Sequence, residues 1–177
     1  MKMNAAELRT QPVNVEVARA IQKNPITIIL DNVLDTYNIG SIFRLAEAVA
    51  VEKLYLCGAT ETPPNTRIKK ASINTWEWVD WEYAKTTSDA IFAFRKNHPD
   101  GQILAVEQDE KSIPFGDVVY KTPIAIIVGN ETYGVSKEVL HLVDTIVELP
   151  MFGINTSLNV MVTTGIILYD IVKHRLI

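Results

Sequence analysis

Five short apolar runs recur along the chain: ITIIL (26–30), KLYLCG (53–58), QILAVE (102–107), PIAIIVG (123–129) and TIVELP (145–150). They are rich in β-branched residues and nearly unbroken, the pattern of strands buried on both faces. The segments between them have helical spacing. Residues 38–50 place Ile39, Ile42, Phe43, Ala46 and Val49 on one face, with Asn38 as a candidate N-cap. Residues 88–97 carry Ile91, Phe92 and Phe94, and residues 136–142 read as a short helix capped by Ser136. A long last helix, 157–173, presents Leu158, Val162, Ile166 and Tyr169 as a stripe, and Ile166, Ile167, Leu168, Ile171 and Val172 make it apolar over more than one face. A further helix is expected near the N-terminus, at about 13–22. Strands alternating with helices predict an α/β fold with a mainly parallel sheet flanked by helices, in one domain spanning 1–177.

In such a sheet the ligand crevice lies beyond the carboxyl ends of the strands. Three polar clusters follow apolar runs here: DNVLDTYNIGSIFR after ITIIL, GNETYG after PIAIIV, and PMFGINTSLN after TIVEL. Each alone is ordinary turn and cap chemistry. Together they point to one convergent site.

Composition narrows the classes. With 177 residues and 47% hydrophobic content the chain can bury a core without staples. Cys57 is the only cysteine, set in an apolar run, so no disulfide framework or cysteine metal site is expected. No membrane span or signal peptide is legible, and a cytoplasmic protein is expected. The net charge of −4 argues against a scaffold held to nucleic acid by bulk charge, but leaves room for RNA bound at a local patch. The one candidate patch, RIKK at 67–70 (Arg67, Lys69, Lys70), reads as a solvated loop.

The candidate chemistry is set by what is missing. There is no G-x-x-x-x-G-K-[ST] loop and no G-x-G-x-x-G; GNETYG puts Glu131 where a close-approach glycine would be needed. His98, His141 and His174 are scattered, so no metal is expected. Ser157 has no nucleophile-elbow context. The remaining Arg, Asn, Glu, Ser and backbone groups suit orienting a polar cofactor and stabilising charge in a group transfer.

NIGSIFR (Asn38, Gly40, Arg44) resembles motif 1 of the SpoU, or TrmH-type, RNA ribose 2′-O-methyltransferases. GNETYG (Gly129, Glu131, Gly134) resembles their motif 2, and LPMFGINTSLNV (149–160) their motif 3. The ordered set spans roughly residues 26–175. The resemblance implies the SPOUT fold, whose C-terminal part, here about 123–175, is threaded into a trefoil knot, a feature that periodicity does not show. It also implies S-adenosylmethionine as cofactor, an RNA substrate (tRNA or rRNA), a homodimer and no membrane. Without a long N-terminal RNA-binding domain or a basic C-terminal extension, tRNA is slightly favoured. The alternative is a catalytically silent knotted RNA-binding or assembly protein.

Carried over onto matching positions, Val106, Gly129, Leu149 and Leu158 fall at cofactor contacts, and Asn38, Arg44, Glu131, Ser157 and Asn159 at catalytic and substrate-orienting positions. Arg44 is implied either as base or as electrostatic stabiliser of the reacting oxygen, and its pKa above 12 makes the second the easier role. Bland readings stand beside these: Asn38 and Ser157 as helix caps, Gly134 as a turn end, Glu131 as a brace for loops, Arg44 as half of an ion pair. Met161 stands where the family commonly has a serine, which puts one supporting hydrogen bond in doubt.

Overall fold

The structure is a computed structural model that describes residues 2–11 and 13–173. Its strands are β1 (Asn24–Asp31), β2 (Val51–Cys57), β3 (Trp81–Ala84), β4 (Gln102–Val106), β5 (Ile113–Pro114), β6 (Ile124–Gly129) and β7 (Thr145–Glu148). They form one sheet in the order β3-β2-β1-β6-β4-β7-β5, with every neighbouring pair parallel. The helices are α1 (Ala5–Thr10), α2 (Val15–Arg19), α3 (Thr36–Ala48), α4 (Thr66–Ser72), α5 (Thr87–Asn97), α6 (Lys137–Leu140) and α7 (Val160–Lys173).

The period-two alternation of a strand sorts the apolar runs onto two cores. Ile26, Ile28 and Leu30 of β1, with Ile124, Ile126 and Val128 of β6, pack on one face against Phe43 of α3 and Ile167, Leu168 and Ile171 of α7. Ile29, Ala125 and Ile127 turn the other way, toward Ala90, Ile91 and Phe94 of α5 and Val139 of α6. Fully burying each Ile or Leu contributes about 1.5–3 kcal/mol, which is why unbroken β-branched runs settle at the centre of the sheet. Cys57 is buried in the second core, where desolvation pushes its thiol up to about 12.

The five expected strands and the four expected helices after residue 38 are present, with boundaries shifted by a few residues. Elements with little apolar surface escaped the pattern. Strand β3 is a sheet edge with no buried residue, and β5 is two residues long. The basic segment read as a loop is helix α4: Asn65 caps it through the Arg67 and Ile68 N–H groups, and Ile68 and Ser72 are buried beneath. Near the N-terminus two short helices, α1 and α2, replace the one expected over 13–22, each with an asparagine cap, Asn4 and Asn14. His174 lies outside the described residues.

Gly40, the glycine of the first motif, is a packing residue. A Cβ there would fall 2.6 Å from Ala71 Cβ and 2.8 Å from the Ile68 carbonyl, so its absence lets α3 lie directly on α4. The outward stripe of α7 stays uncovered: Val162, Ile166 and Tyr169, with Leu158 just before the helix, are exposed, whereas Ile167, Leu168, Ile171 and Val172 are buried. No described helix is long and apolar enough to cross a membrane.

Candidate active site

The register brings the strand ends to one rim. Asp31 stands opposite both Cys57 and Gly129, and Val106 stands opposite Val128 and Val147. The loops leaving this rim are the three polar clusters of the sequence.

Backbone approaches backbone here more closely than side chains allow. A Cβ on Gly129 would lie 2.1 Å from the Gly134 carbonyl carbon and 2.2 Å from the Val135 nitrogen. Gly129 is thus required by its own returning loop, which Asn130 and Gly134 close with reciprocal N–H···O bonds of 3.0 and 2.9 Å. Gly134 takes φ +68°, and Glu107 presses on its bare face while accepting the Val135 N–H at 2.7 Å. The Asn130 side chain accepts from the Thr132 and Tyr133 N–H groups and donates to the Asn32 carbonyl, fixing the loop against the end of β1.

Glu131 leaves this loop toward α3. Its Oε2 accepts the Leu34 N–H at 3.1 Å and its Oε1 the Asp35 N–H at 3.0 Å, and Asn38 Nδ2 donates to Oε1 at 3.0 Å. Asn159 Nδ2 in turn donates to Asn38 Oδ1 at 3.1 Å. One chain of hydrogen bonds, Asn159 to Asn38 to Glu131, thereby joins the three motifs. Burial alone would push the Glu131 carboxyl up; the bonds from Asn38 and the Leu34 and Asp35 N–H groups outweigh it and hold the group below its ordinary value. An ionised carboxylate whose two oxygens are both occupied is a brace.

The caps also move. Asp35, not Asn38, caps α3, accepting the Tyr37 N–H at 2.7 Å, and this frees the buried Asn38 for the chain of bonds above. Asn159, not Ser157, accepts from the first N–H groups of α7, at Met161 and Val162. Ser157 is exposed, with no hydrogen bond from its hydroxyl to any described residue. Met161 packs against the core. Ser136 spends its hydroxyl on Asp31 rather than on its own helix.

Between the GNETYG loop, the ends of β4 and β7, and residues 151–160 lies a cleft of about 640 Å³. Val106, Gly129, Leu149 and Leu158 all line it, as do Glu131, Ser157 and Asn159. Its charged lining is wholly acidic: Glu107, Glu131 and Glu148, with no Lys, Arg or His among the described lining residues. No group of metal-ligating side chains occurs among the described residues. Arg44 does not line the cleft. It is exposed on α3 and makes no hydrogen bond or ion pair with the described residues, which removes the ion-pair reading. Seven residues from Tyr37, it lies on the same helix face about 10 Å further along the axis.

Two supporting residues went unread in the sequence. Asp31, buried at the end of β1, accepts from Thr87 Oγ1 at 2.6 Å and from Ser136 N and Oγ at 2.7 and 2.5 Å, tying the starts of α5 and α6 to the rim. Glu107 holds the returning loop. The available signal was an acidic residue directly after an apolar strand, where burial demands partners.

This arrangement of parallel strands and motif loops is that of a known family: the SpoU rRNA Methylase profile matches residues 25–169, and the chain belongs to that family. The tRNA (guanosine(18)-2'-O)-methyltransferase of Aquifex aeolicus is 35% identical over 166 residues, covering 90% of this chain and 74% of that protein. The crystal structure of the A. aeolicus TrmH/SpoU tRNA modifying enzyme superposes with a TM-score of 0.78 at 32% identity, covering 97% of this chain and 82% of that one. An AdoMet-bound rRNA methyltransferase from Sinorhizobium meliloti shares the fold, with a TM-score of 0.78 at 24% identity over 89% of this chain and 60% of that one.

Proposed function

We propose that this chain is an S-adenosylmethionine-dependent RNA ribose 2′-O-methyltransferase acting on tRNA. The observation that carries the reading is the cleft, where residues of the second and third motifs meet in a lining with three carboxylates and no cation. Such a lining offers no cation to a phosphate and favours a cationic ligand. The sulfonium cofactor meets that condition, and about 640 Å³ is within the usual range for a ligand of its size. Val106, Leu149 and Leu158 supply apolar walls and the 129–135 loop supplies backbone groups. When bound there, S-adenosylmethionine supplies the electrophilic methyl group.

The chain's own task is to position and activate a ribose hydroxyl. Glu131 and Asn38 hold the turn before α3 against the cleft, and Asn159 fixes the start of α7 beside it. Ser157, whose hydroxyl bonds to no described residue, orients the ribose in this reading. Arg44 stabilises the negative charge developing on the oxygen while solvent takes the proton. It does not line the cleft of its own protomer, and α3 packs along α7, with Leu45 3.4 Å from where a Cβ on Gly165 would sit. In this reading a second copy docked on the exposed stripe of α7 supplies Arg44 to the neighbouring cleft. The working unit is thus a cytoplasmic homodimer of one-domain protomers, with residues of about 123–175 threaded as the family's knot. The silent-protein alternative has no observation in its favour.

The test is transfer of labelled methyl from S-adenosylmethionine to total RNA, followed by nucleoside mapping and cofactor calorimetry. A 2′-O-methylated nucleoside in tRNA is the expected product; absence of both binding heat and label would end the reading.

A further inference from the structure

Across the Asn130–Thr132 loop from the cleft is a second hollow, about 720 Å³, walled by residues 34–37, Glu61, residues 65–67 and that shared loop. Three carboxylates and one cation face it: Asp35, Glu61, Glu131 and Arg67. Two of the carboxylates are held by hydrogen bonds and keep their charge. Glu131 braces the turn before α3, and Asp35 caps Tyr37. The side chains of Glu61 and Arg67 have no hydrogen bond or ion pair with any described residue. Tyr37, 52% exposed, is the aromatic residue of the wall. Lys70, one helical turn beyond Arg67, extends its positive edge, and α4 contains no acidic residue although the chain as a whole is acidic.

An open aromatic surface, an unpaired guanidinium and an unpaired carboxylate in one hollow fit a single nucleotide. The ring stacks a base, the planar fork takes a phosphate, and the carboxylate accepts from N–H groups of a base edge. The position argues the same way, because one loop forms a wall of both hollows. Building on the methyltransferase reading, we propose that this second hollow seats the acceptor nucleotide of the RNA. Its base lies on Tyr37, a flanking phosphate lies on Arg67, and its ribose is turned over the Asn130–Thr132 loop toward the cleft. Lys70 guides the strand away along α4.

The experiment measures RNA affinity across a salt series, methyl transfer, cofactor affinity and melting temperature. The variants are Tyr37→Ala, Tyr37→Phe, Arg67→Ala and Arg67→Lys, with Lys96→Ala, on the exposed side of α5, as control. Tyr37→Ala should lower kcat/KM for RNA about tenfold or more, and Tyr37→Phe should restore it. Arg67→Ala should weaken RNA binding and flatten the slope of log affinity against log salt by about 0.7, the share of one single-strand phosphate contact. Arg67→Lys should keep the slope. Cofactor affinity and melting should match wild type throughout. Wild-type RNA affinity, salt slope and kcat/KM in both alanine variants would overturn the proposal. If wild type transferred no methyl to RNA, the catalytic reading would fall, while the binding and salt measurements would still decide the hollow.

Discussion

The two hollows share one loop and are built from opposite materials. The cleft is walled largely by main chain at the strand ends, and Gly129, Gly134, Glu107 and Asn130 hold one another in contacts that leave no room for a Cβ. The second hollow is walled by residues 34–37, Glu61, the start of α4 and the shared loop, and the side chains of Tyr37, Glu61 and Arg67 hydrogen-bond to no described residue. The first arrangement is preorganised, so its ligand loses little free energy to ordering the site. The second is set in order by what binds it. A rigid half suits a constant small molecule, and an adaptable half suits a flexible polymer.

Breaking the rigid half should have the largest effect. Gly129→Ala forces the 134–135 peptide aside, and overpacking of this kind costs about 3 kcal/mol. At about 2–4 °C per kcal/mol, the melting temperature should fall by roughly 6–12 °C. Cofactor binding should be lost with it by calorimetry. Arg44, which lines neither hollow, should respond differently. Arg44→Ala removes an exposed side chain that pairs with no described residue, so stability should stay within about 0.5 kcal/mol of wild type. Single-turnover methylation should fall on the order of a hundredfold or more, and Arg44→Lys should fall steeply too because it lacks the planar fork. Full turnover by folded Arg44→Lys would end its assigned role.

Self-association tests the exposed stripe of α7. Ile166→Glu should shift the light-scattering mass of a micromolar solution from dimer toward monomer, with a loss of methylation and a smaller change in cofactor affinity. A wild-type protein that is already monomeric would remove the subunit boundary from the site.

The smallest effect concerns Glu131, the brace between the halves. Its carboxyl is held below its ordinary value in the fold, so its contribution to stability is present above the unfolded value of about 4.3 and is lost as pH falls through the folded one. Glu131→Gln should cost about 1 kcal/mol at pH 7. The gap in urea midpoint between wild type and variant should narrow as pH falls below about 4. A gap independent of pH would show that the charge contributes nothing.

How much of this was legible in the chain depends on what each residue answers to. The central strands were readable because Ile26 to Leu30 and Ile124 to Val128 are buried on both faces, and burial writes itself as hydrophobicity. Strand β3 was not, because an edge strand with Glu82 and Tyr83 exposed carries no such mark. Glu131 and Asn159 were legible as motif residues, but their shared partner Asn38 is 93 and 121 positions away, and no local pattern encodes a contact at that separation. The capping assignments failed for a related reason. Asp35, Asn38, Ser157 and Asn159 all have capping chemistry, and the choice among them is made by which one the tertiary fold claims for something else.

The acidic charge of the described cleft lining within one protomer has a consequence for turnover on the proposed reading. Methyl transfer turns a sulfonium into a neutral thioether, so donor and spent cofactor differ by one positive charge while sharing almost all their shape. If the cofactor occupies the cleft as proposed, Glu107, Glu131 and Glu148 favour the charged donor over its neutral product during exchange. The preference falls as ionic strength rises. Product inhibition should consequently be weak in dilute buffer and grow with salt, so that the enzyme's economy is governed by the counterions around it.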